Sequence, residues 1–319
     1  MQGVTELGND IYLIDLMDMG IQERTGAYVI KADELTIVET SASPSIPHLL
    51  AGLKELGLDP ADVKHLIVTH VHLDHAGGAG LFLEHCPEAT VYVHPRGKRH
   101  LADPSKLIMG ARAVYGEKFD QLFDPILPIP DVRLVEMEED RTLKIGDRIL
   151  TFMDTPGHAK HHFSIHDSGS NGVFTGDTIG VLYPQLAREG VELSLPSTSP
   201  NQFSPEDMLA SATKIESLNP ERIYFGHYGM SASPVQVFAQ LRYWLPIFIE
   251  ESERVWKANH GVESAEIAEQ IKSALFAKVQ AYLETRGVKL DNEVYEIIQL
   301  DLNVGSMGMI DRMEKLAKQ

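Results

Sequence analysis

A single cysteine, Cys86, is all the thiol this chain of 319 residues carries. No intrachain disulfide and no cysteine-based metal site can form, and a reduced, cytoplasmic setting is the expectation. Its place in the sequence suggests half-buried packing at a helix end. Long apolar runs are missing too. None approaches the ~18 residues a membrane helix needs, so no membrane partner is expected. The stretch MQGVTELGND has no basic region followed by an apolar one, so no signal peptide is expected. Basic charge is scarce: Lys plus Arg is 28 against 46 Asp plus Glu, a formal net charge of −18. Nucleic acids require a basic footprint, so they are excluded as the main partner. There is no G-x-S-x-G elbow, which disfavours a serine acyl-enzyme. No internal repeat or low-complexity tract is present. What remains is the composition of an ordinary globular protein, 43 % hydrophobic and 23 % charged, with a small molecule as the expected substrate.

The first part of the chain alternates strand-like and helical runs. IYLIDL, GAYVIKA and LTIVET read as strands, SIPHLLAGLKELG as a helix ending at Gly57, VKHLIVTH as a mostly apolar strand, and AGGAGLFLEHC as a helix start. TVYVH, DVRLVEM, RILTFMDT, HFSIHD, GVFTGD and RIYFGH are further strands, with PEDMLASATKIESL helical between the last two. Strands in runs with helices interspersed predict two packed sheets with helices outside, an α/β (α+β) architecture. From about Ser233 the period becomes helical. VQVFAQLRYWLPIFIEESERVW predicts a helix kinked at Pro246, and Ile267, Ile271, Leu275, Val279 and Leu283 form one stripe ending at Gly287. Two shorter helices are expected around Val294–Leu302 and Met309–Leu316. The predicted division is residues 1–230 as a catalytic domain and 231–319 as a helical C-terminal subdomain. Those apolar helix faces need burial, against the pocket or in a homodimer.

The chemistry concentrates in THVHLDHAGG, which places His70, His72, Asp74 and His75 within six residues at the end of an apolar strand. In extended geometry His70 and His72 project the same way, and Asp74 and His75 follow as the chain turns. Imidazole and carboxylate suit a divalent metal: zinc first, with iron or manganese as alternatives. His158 in MDTPGHAKHH, Asp177 in GVFTGDT and His227 in RIYFGHYG also sit at strand ends beside glycine. Seven ligand types in such places are best explained by convergence on one site.

In this order, THVHLDHAGG, TPGHAKHH, TGDT and FGHYG resemble the metal-binding signature of the metallo-β-lactamase superfamily, over roughly residues 5 to 230. The resemblance implies an αββα sandwich with the metal site at one edge between the sheets. It also implies that His70, His72 and His158 hold one metal, that Asp74, His75 and His227 hold a second, and that Asp177 bridges both. The helical tail resembles glyoxalase-II-like hydrolases, and VYVHPRGKRHLADPSKL resembles a two-domain group among them. The spacing from His75 to His158 is longer than in the thioesterase, and the insert at 96–123 reads as helices over the pocket, which argues against glutathione thioesters.

Two cations held this way lower the pKa of a bridging water toward neutrality. The expected activity is therefore hydrolysis of a small ester, lactone, thioester or phosphodiester by a metal-bridging hydroxide. Asp74, Asp177 and Tyr183 are the side chains expected to act in catalysis, the tyrosine by a hydrogen bond to a substrate oxygen. His161 and His162 are candidate partners of the ligands. Arg96, His100 and Lys106 are solvated surface that an anionic substrate could meet, while Leu107, Met109, Val114 and Tyr115 read as helix packing. The 180–204 stretch has little regular pattern and is a candidate pocket rim. The alternative is an iron-dependent redox enzyme of the same fold, similar to persulfide dioxygenases. One iron would leave Asp74, His75 and His227 idle, which favours the hydrolase. A non-catalytic relic would have lost a ligand, and none is lost.

Overall fold

The computed structural model describes residues 3–259 and 261–318. Its strands are β1 (Val4–Gly8), β2 (Ile11–Asp15), β3 (Gly26–Ile30), β4 (Leu35–Val38), β5 (Val63–Ile67), β6 (Thr90–Val93), β7 (Leu134–Glu136), β8 (Thr142–Ile145), β9 (Arg148–Asp154), β10 (Phe163–Asp167), β11 (Gly172–Gly176), β12 (Val181–Leu182), β13 (Ser194–Leu195), β14 (Arg222–Phe225) and β15 (Met230–Ser231). The helices are α1 (Ile46–Glu55), α2 (Leu73–Ala76), α3 (Ala79–Phe82), α4 (Pro95–Ala102), α5 (Ser105–Tyr115), α6 (Phe119–Phe123), α7 (Pro205–Glu216), α8 (Pro234–Ala258), α9 (Ser264–Glu284) and α10 (Val294–Ala317).

The chain forms two units. The first takes the chain up to Asp154 together with His161–Gly176 and Pro220–Ala232. It holds both large sheets. One is ordered β1 to β7 in sequence, antiparallel through β4 and parallel from β4 onward. The other is ordered β15-β14-β11-β10-β9-β8, with only β11 and β14 parallel. The apolar core between them joins Leu13, Tyr28, Ile30 and Ile67 of the first sheet to Phe152, Phe163, Phe174 and Tyr224 of the second. Successive strand residues point to opposite faces. Ala27, Val29, Ile37 and Leu66 therefore face the other way, against Ile46, Leu49 and Leu53 of α1 and Phe82 of α3. A first sheet buried on both faces is why β3 and β4 read as continuous apolar runs rather than alternating ones. The 96–123 insert is helical as expected: α4, α5 and α6.

The second unit takes Thr155–Lys160, Asp177–Asn219 and the chain from Ser233. The stretch read as irregular contains the two-stranded β12–β13 hairpin. Helix α9 packs against α8 and α10 through its predicted stripe, and Ile267, Ile271, Leu275, Val279 and Leu283 are all buried. Helix α8 is one element with Pro246 inside it. One departure from expectation concerns the tail. Residues 294–317 form one helix rather than two, although Gly305 and Gly308 lie inside it.

Cys86 also departs: it is fully buried, not half-buried. It lies in the core beneath β5 and β6, and the Arg133 guanidinium donates to its carbonyl oxygen at 2.6 Å. Burial pushes its thiol up to about 12, so the neutral, unreactive form dominates at pH 8. Iodoacetamide at pH 8 is expected to leave the native protein unlabelled over a time that fully labels the urea-unfolded chain. Rapid labelling of the native protein would contradict this packing.

Candidate metal centre

The first unit brings together five of the seven sequence-predicted ligands: His70, His72, Asp74, His75 and His227. The chain leaves β5 at Ile67 and reaches α2 at Leu73, so His70 and His72 lie on the intervening loop and Asp74 and His75 in the helix's single turn. Backbone bonds fix this segment. Thr40 donates its N–H to the His75 carbonyl at 3.0 Å, Gly78 donates to Ser41 O at 2.8 Å, and Phe163 donates to Thr69 O at 2.9 Å. The rings of His70 and His75 are 4.1 Å apart between centroids, and those of His70 and His72 4.7 Å. His227 follows β14 after Gly226, whose N–H donates to Gly176 O at 3.1 Å.

Asp74, His75 and His227 each offer a ligand atom within 4.8 Å of the others. Asp74 Oδ2 is 3.9 Å from His75 Nε2 and 3.8 Å from His227 Nε2. Tetrahedral ligands 2.0–2.1 Å from a zinc ion are about 3.3 Å apart. A contraction of about half an ångström would thus seat an ion on this donor set. The surroundings fit such a cradle. A Cβ added at Gly226 would lie 2.9 Å from His75 Cε1, and one at Gly176 2.4 Å from His162 Nε2. Only glycine lets these strand ends come so close to the imidazoles.

Sequence reasoning missed the group that organises this set. Glu39, directly after β4 and only 2 % exposed, accepts the Thr69 N–H on Oε1 at 2.8 Å. Its Oε2 lies 3.2 Å from His75 Nδ1. A carboxylate at that distance favours the proton on Nδ1 and so leaves Nε2 for the side of Asp74 and His227. The available signal was an acidic residue ending the apolar run LTIV. Next to it in influence stands the buried ion pair Arg24–Asp18, with Nε to Oδ2 at 3.3 Å. Burial raises the Asp18 carboxyl, Arg24 opposes the rise, and the charge of Asp74 adds to it, so this pair is within electrostatic reach of the cluster.

The second unit brings together the other two predicted ligands. His158 Nε2 is 3.8 Å from Asp177 Oδ2, and both side chains are buried. His158 Nδ1 donates to Ser197 O at 3.2 Å, Ser197 Oγ donates to Asp177 Oδ2 at 3.2 Å, and Ser199 Oγ donates to His158 Nε2 at 3.4 Å. Asp177 directly follows β11. The Tyr183 hydroxyl, also in this unit and buried, donates to Asp301 Oδ2 at 3.0 Å.

The remaining candidates fall into place around the first cluster. The His161 ring stands edge-on to His72 at 5.3 Å, and the buried His162 ring is 5.1 Å from His70. His100 on α4 lies 6.3 Å from His161, and burial lowers its pKa. Arg96 and Lys106 are exposed. Of the α5 stripe, Leu107 and Tyr115 pack against Phe119 and Phe123, whereas Met109 is 69 % exposed and packs against nothing that would make it a stripe residue.

Replacing Glu39 tests this geometry. Glu39→Gln keeps the shape but removes the charge facing His75 Nδ1. Zinc affinity, read by competition with a chromophoric chelator, is expected to fall about 10–100-fold. Wild-type affinity in a folded Glu39→Gln variant would show that His75 needs no such partner.

Comparisons with known proteins agree with this picture. The chain is 26 % identical over 207 residues to the metallo-beta-lactamase fold-containing protein ST1585 of Sulfurisphaera tokodaii, covering 64 % of this chain and 72 % of that protein. The crystal structure of ST1585 superposes with a TM-score of 0.66 at 19 % identity, covering 94 % of this chain and 97 % of that one. An N-acyl homoserine lactonase, AttM of Azorhizobium caulinodans, is 35 % identical over 118 residues, 36 % of this chain and 40 % of that protein. The acyl-coenzyme A thioesterase MBLAC2 of Gallus gallus is 31 % identical over 124 residues, 35 % of this chain and 40 % of its own length. The match thus spans under half of either enzyme. The model of the metallo-beta-lactamase superfamily matches residues 24–227. With that match over more than half its length, and with the sandwich and ligand-bearing strand ends described above, the chain belongs to the metallo-beta-lactamase superfamily.

Proposed function

We propose that this protein is a metal-dependent hydrolase with two divalent ions, most naturally zinc, acting on a small carboxylic ester, lactone or thioester. The observation that carries it is the Asp74–His75–His227 donor set, with both imidazoles buried and Glu39 behind His75. The lactonase and thioesterase relatives support the substrate range by what they are named for. His70, His72 and His158 would hold one ion; Asp74, His75 and His227 would hold the other; Asp177 would be shared. When bound, two such ions supply Lewis acidity toward an acyl oxygen and a water acidic enough to ionise near neutral pH.

The chain's own residues then have separable tasks. Glu39 beside His75 favours its Nδ1–H tautomer, and the Ser197 carbonyl holds His158 in the same tautomer. Asp74, whose side chain is 30 % exposed, is the carboxylate through which a released proton reaches solvent. No side chain offers a competing nucleophile of the thiol kind, because Cys86 is buried and neutral. Solvent oxygen should therefore enter the product directly, with no covalent enzyme intermediate.

Four measurements test the proposal. Elemental analysis at saturating metal is expected to give about two ions per chain, and Asp177→Ala to lower that number. Against a panel of lactones, thioesters, phosphodiesters and β-lactams, Asp177→Ala should cost more than about 100-fold in kcat/KM, and Tyr183→Phe no more than about tenfold, since the first disturbs the donor set and the second one hydrogen bond. Chelator should abolish turnover and added divalent metal restore it. A single turnover in labelled water decides the route: label appearing first in the protein and only later in product would overturn direct hydrolysis. Iron retained through purification, with oxygen uptake and no hydrolysis, would replace this reading by the redox one.

A further inference from the structure

We infer that the C-terminal helix α10 positions the His158–Asp177 half of the donor set, acting through a strap at residues 197–199. The inference rests on the metal-centre reading above and concerns how this chain builds that half. The strap meets the two ligands three times: through Ser197 O to His158 Nδ1, through Ser197 Oγ to Asp177 Oδ2, and through Ser199 Oγ to His158 Nε2. These contacts decide the His158 tautomer and the direction of one Asp177 oxygen.

The strap in turn is seated on α10. The Thr198 hydroxyl donates to Gly305 O at 2.9 Å. A Cβ at Gly305 would lie 2.9 Å from Thr198 Oγ1, and one at Gly308 would lie 1.7 Å from Thr198 O and 2.6 Å from Ser199 C. Those atoms are mostly backbone and cannot step aside. One turn before Gly305, Asp301 accepts the Tyr183 hydroxyl, and further along Lys315 donates to Asn201 O. Positions 301, 305 and 308 recur at steps of four and three, so they lie on one helix face. That face is turned to the strap and to the loop after Asp177. The other face packs elsewhere: Ile310 is buried on the opposite side, with Tyr295 and Met313 buried beside it, outside every one of these hydrogen bonds. The two glycines inside α10 are thus explained by close approach, not by a helix break.

A purely structural role for this face predicts that any loss of α10 packing loosens the ligands in proportion to lost stability. A positioning role predicts that strap variants weaken metal binding beyond their effect on stability. The test uses the full chain, zinc affinity by chelator competition, the ligand-field spectrum of the cobalt-loaded protein, and the thermal midpoint of the metal-free protein. Gly308→Ala and Ser197→Ala are each expected to weaken zinc binding about tenfold or more and to change the cobalt spectrum. Ser197→Thr, which keeps the hydroxyl, should recover affinity to within about threefold. Ile310→Ala, on the opposite side of α10, should lower the thermal midpoint at least as much as either and leave zinc affinity within about threefold. If Gly308→Ala does not fold, the Ser197 pair carries the test alone. Wild-type affinity and spectrum in folded Ser197→Ala would overturn the inference, as would affinity losses that simply follow the thermal midpoint across all variants including Ile310→Ala. Failure of the underlying metal reading looks different: the unmodified chain itself would then bind no zinc or cobalt.

Discussion

A carboxylate removed from water must be answered by hydrogen bonds or by positive charge, or it destabilises the fold by several kcal/mol. Glu39 Oε1 is answered by the Thr69 N–H, and its Oε2 lies 3.2 Å from His75 Nδ1. The requirement acts in both directions. The fold must keep Thr69 and His75 against Glu39 to remain stable, and in doing so it fixes where the segment from His70 to His75 points its side chains. The backbone bonds from Thr40 to His75 and from Gly78 to Ser41 tighten the same joint between the end of β4 and the loop after β5.

This explains which parts of the site were legible in the sequence. The H-x-H-x-D-H element carries its own signature, because ligand types at that density beside an apolar strand have no packing role. His158, Asp177 and His227 were legible for the same reason, each ending an apolar run next to glycine. Glu39 was not. An acidic residue at a strand end looks the same whether it caps a turn or orients an imidazole, and only the spatial partner, 36 positions away in His75, separates the two. The Ser197 and Ser199 contacts were hidden likewise: in PSTSPNQF serines read as loop filler, and their partners are distant in sequence.

The fold was legible where periodicity had room to show itself. The long strands and α1, α7, α8 and α9 were found. Those missed were β1, with no buried residue, β8, with one, and β12, β13 and β15, whose two residues each are too few for an alternation to register. Helix α10 was divided in two because glycine inside a helix costs about 1 kcal/mol relative to alanine. Local propensity argued for a break at NVGSMG, and tertiary context overrode it.

The two groups of ligands rest on different physics. Those of the first unit emerge from sheets whose shared core includes Tyr28, Phe152, Phe163, Phe174 and Tyr224, so apolar burial sets their positions. Close packing of that kind has few alternatives and resists small shifts. His158 and Asp177 emerge on short segments held chiefly by polar contacts. Thr178 Oγ1 donates to Thr155 O at 3.0 Å, Ser204 N to Gly157 O at 2.8 Å, and the strap bonds complete the set. A net hydrogen bond contributes only about 1 kcal/mol, so this group needs many of them, and needs a rigid body to anchor them. A helix with two glycines on one face supplies that anchor, at a cost in helix propensity of about 2 kcal/mol that packing of its other face offsets. Helix α10 is, on the inference above, part of what holds His158 and Asp177 rather than a separate appendage to them.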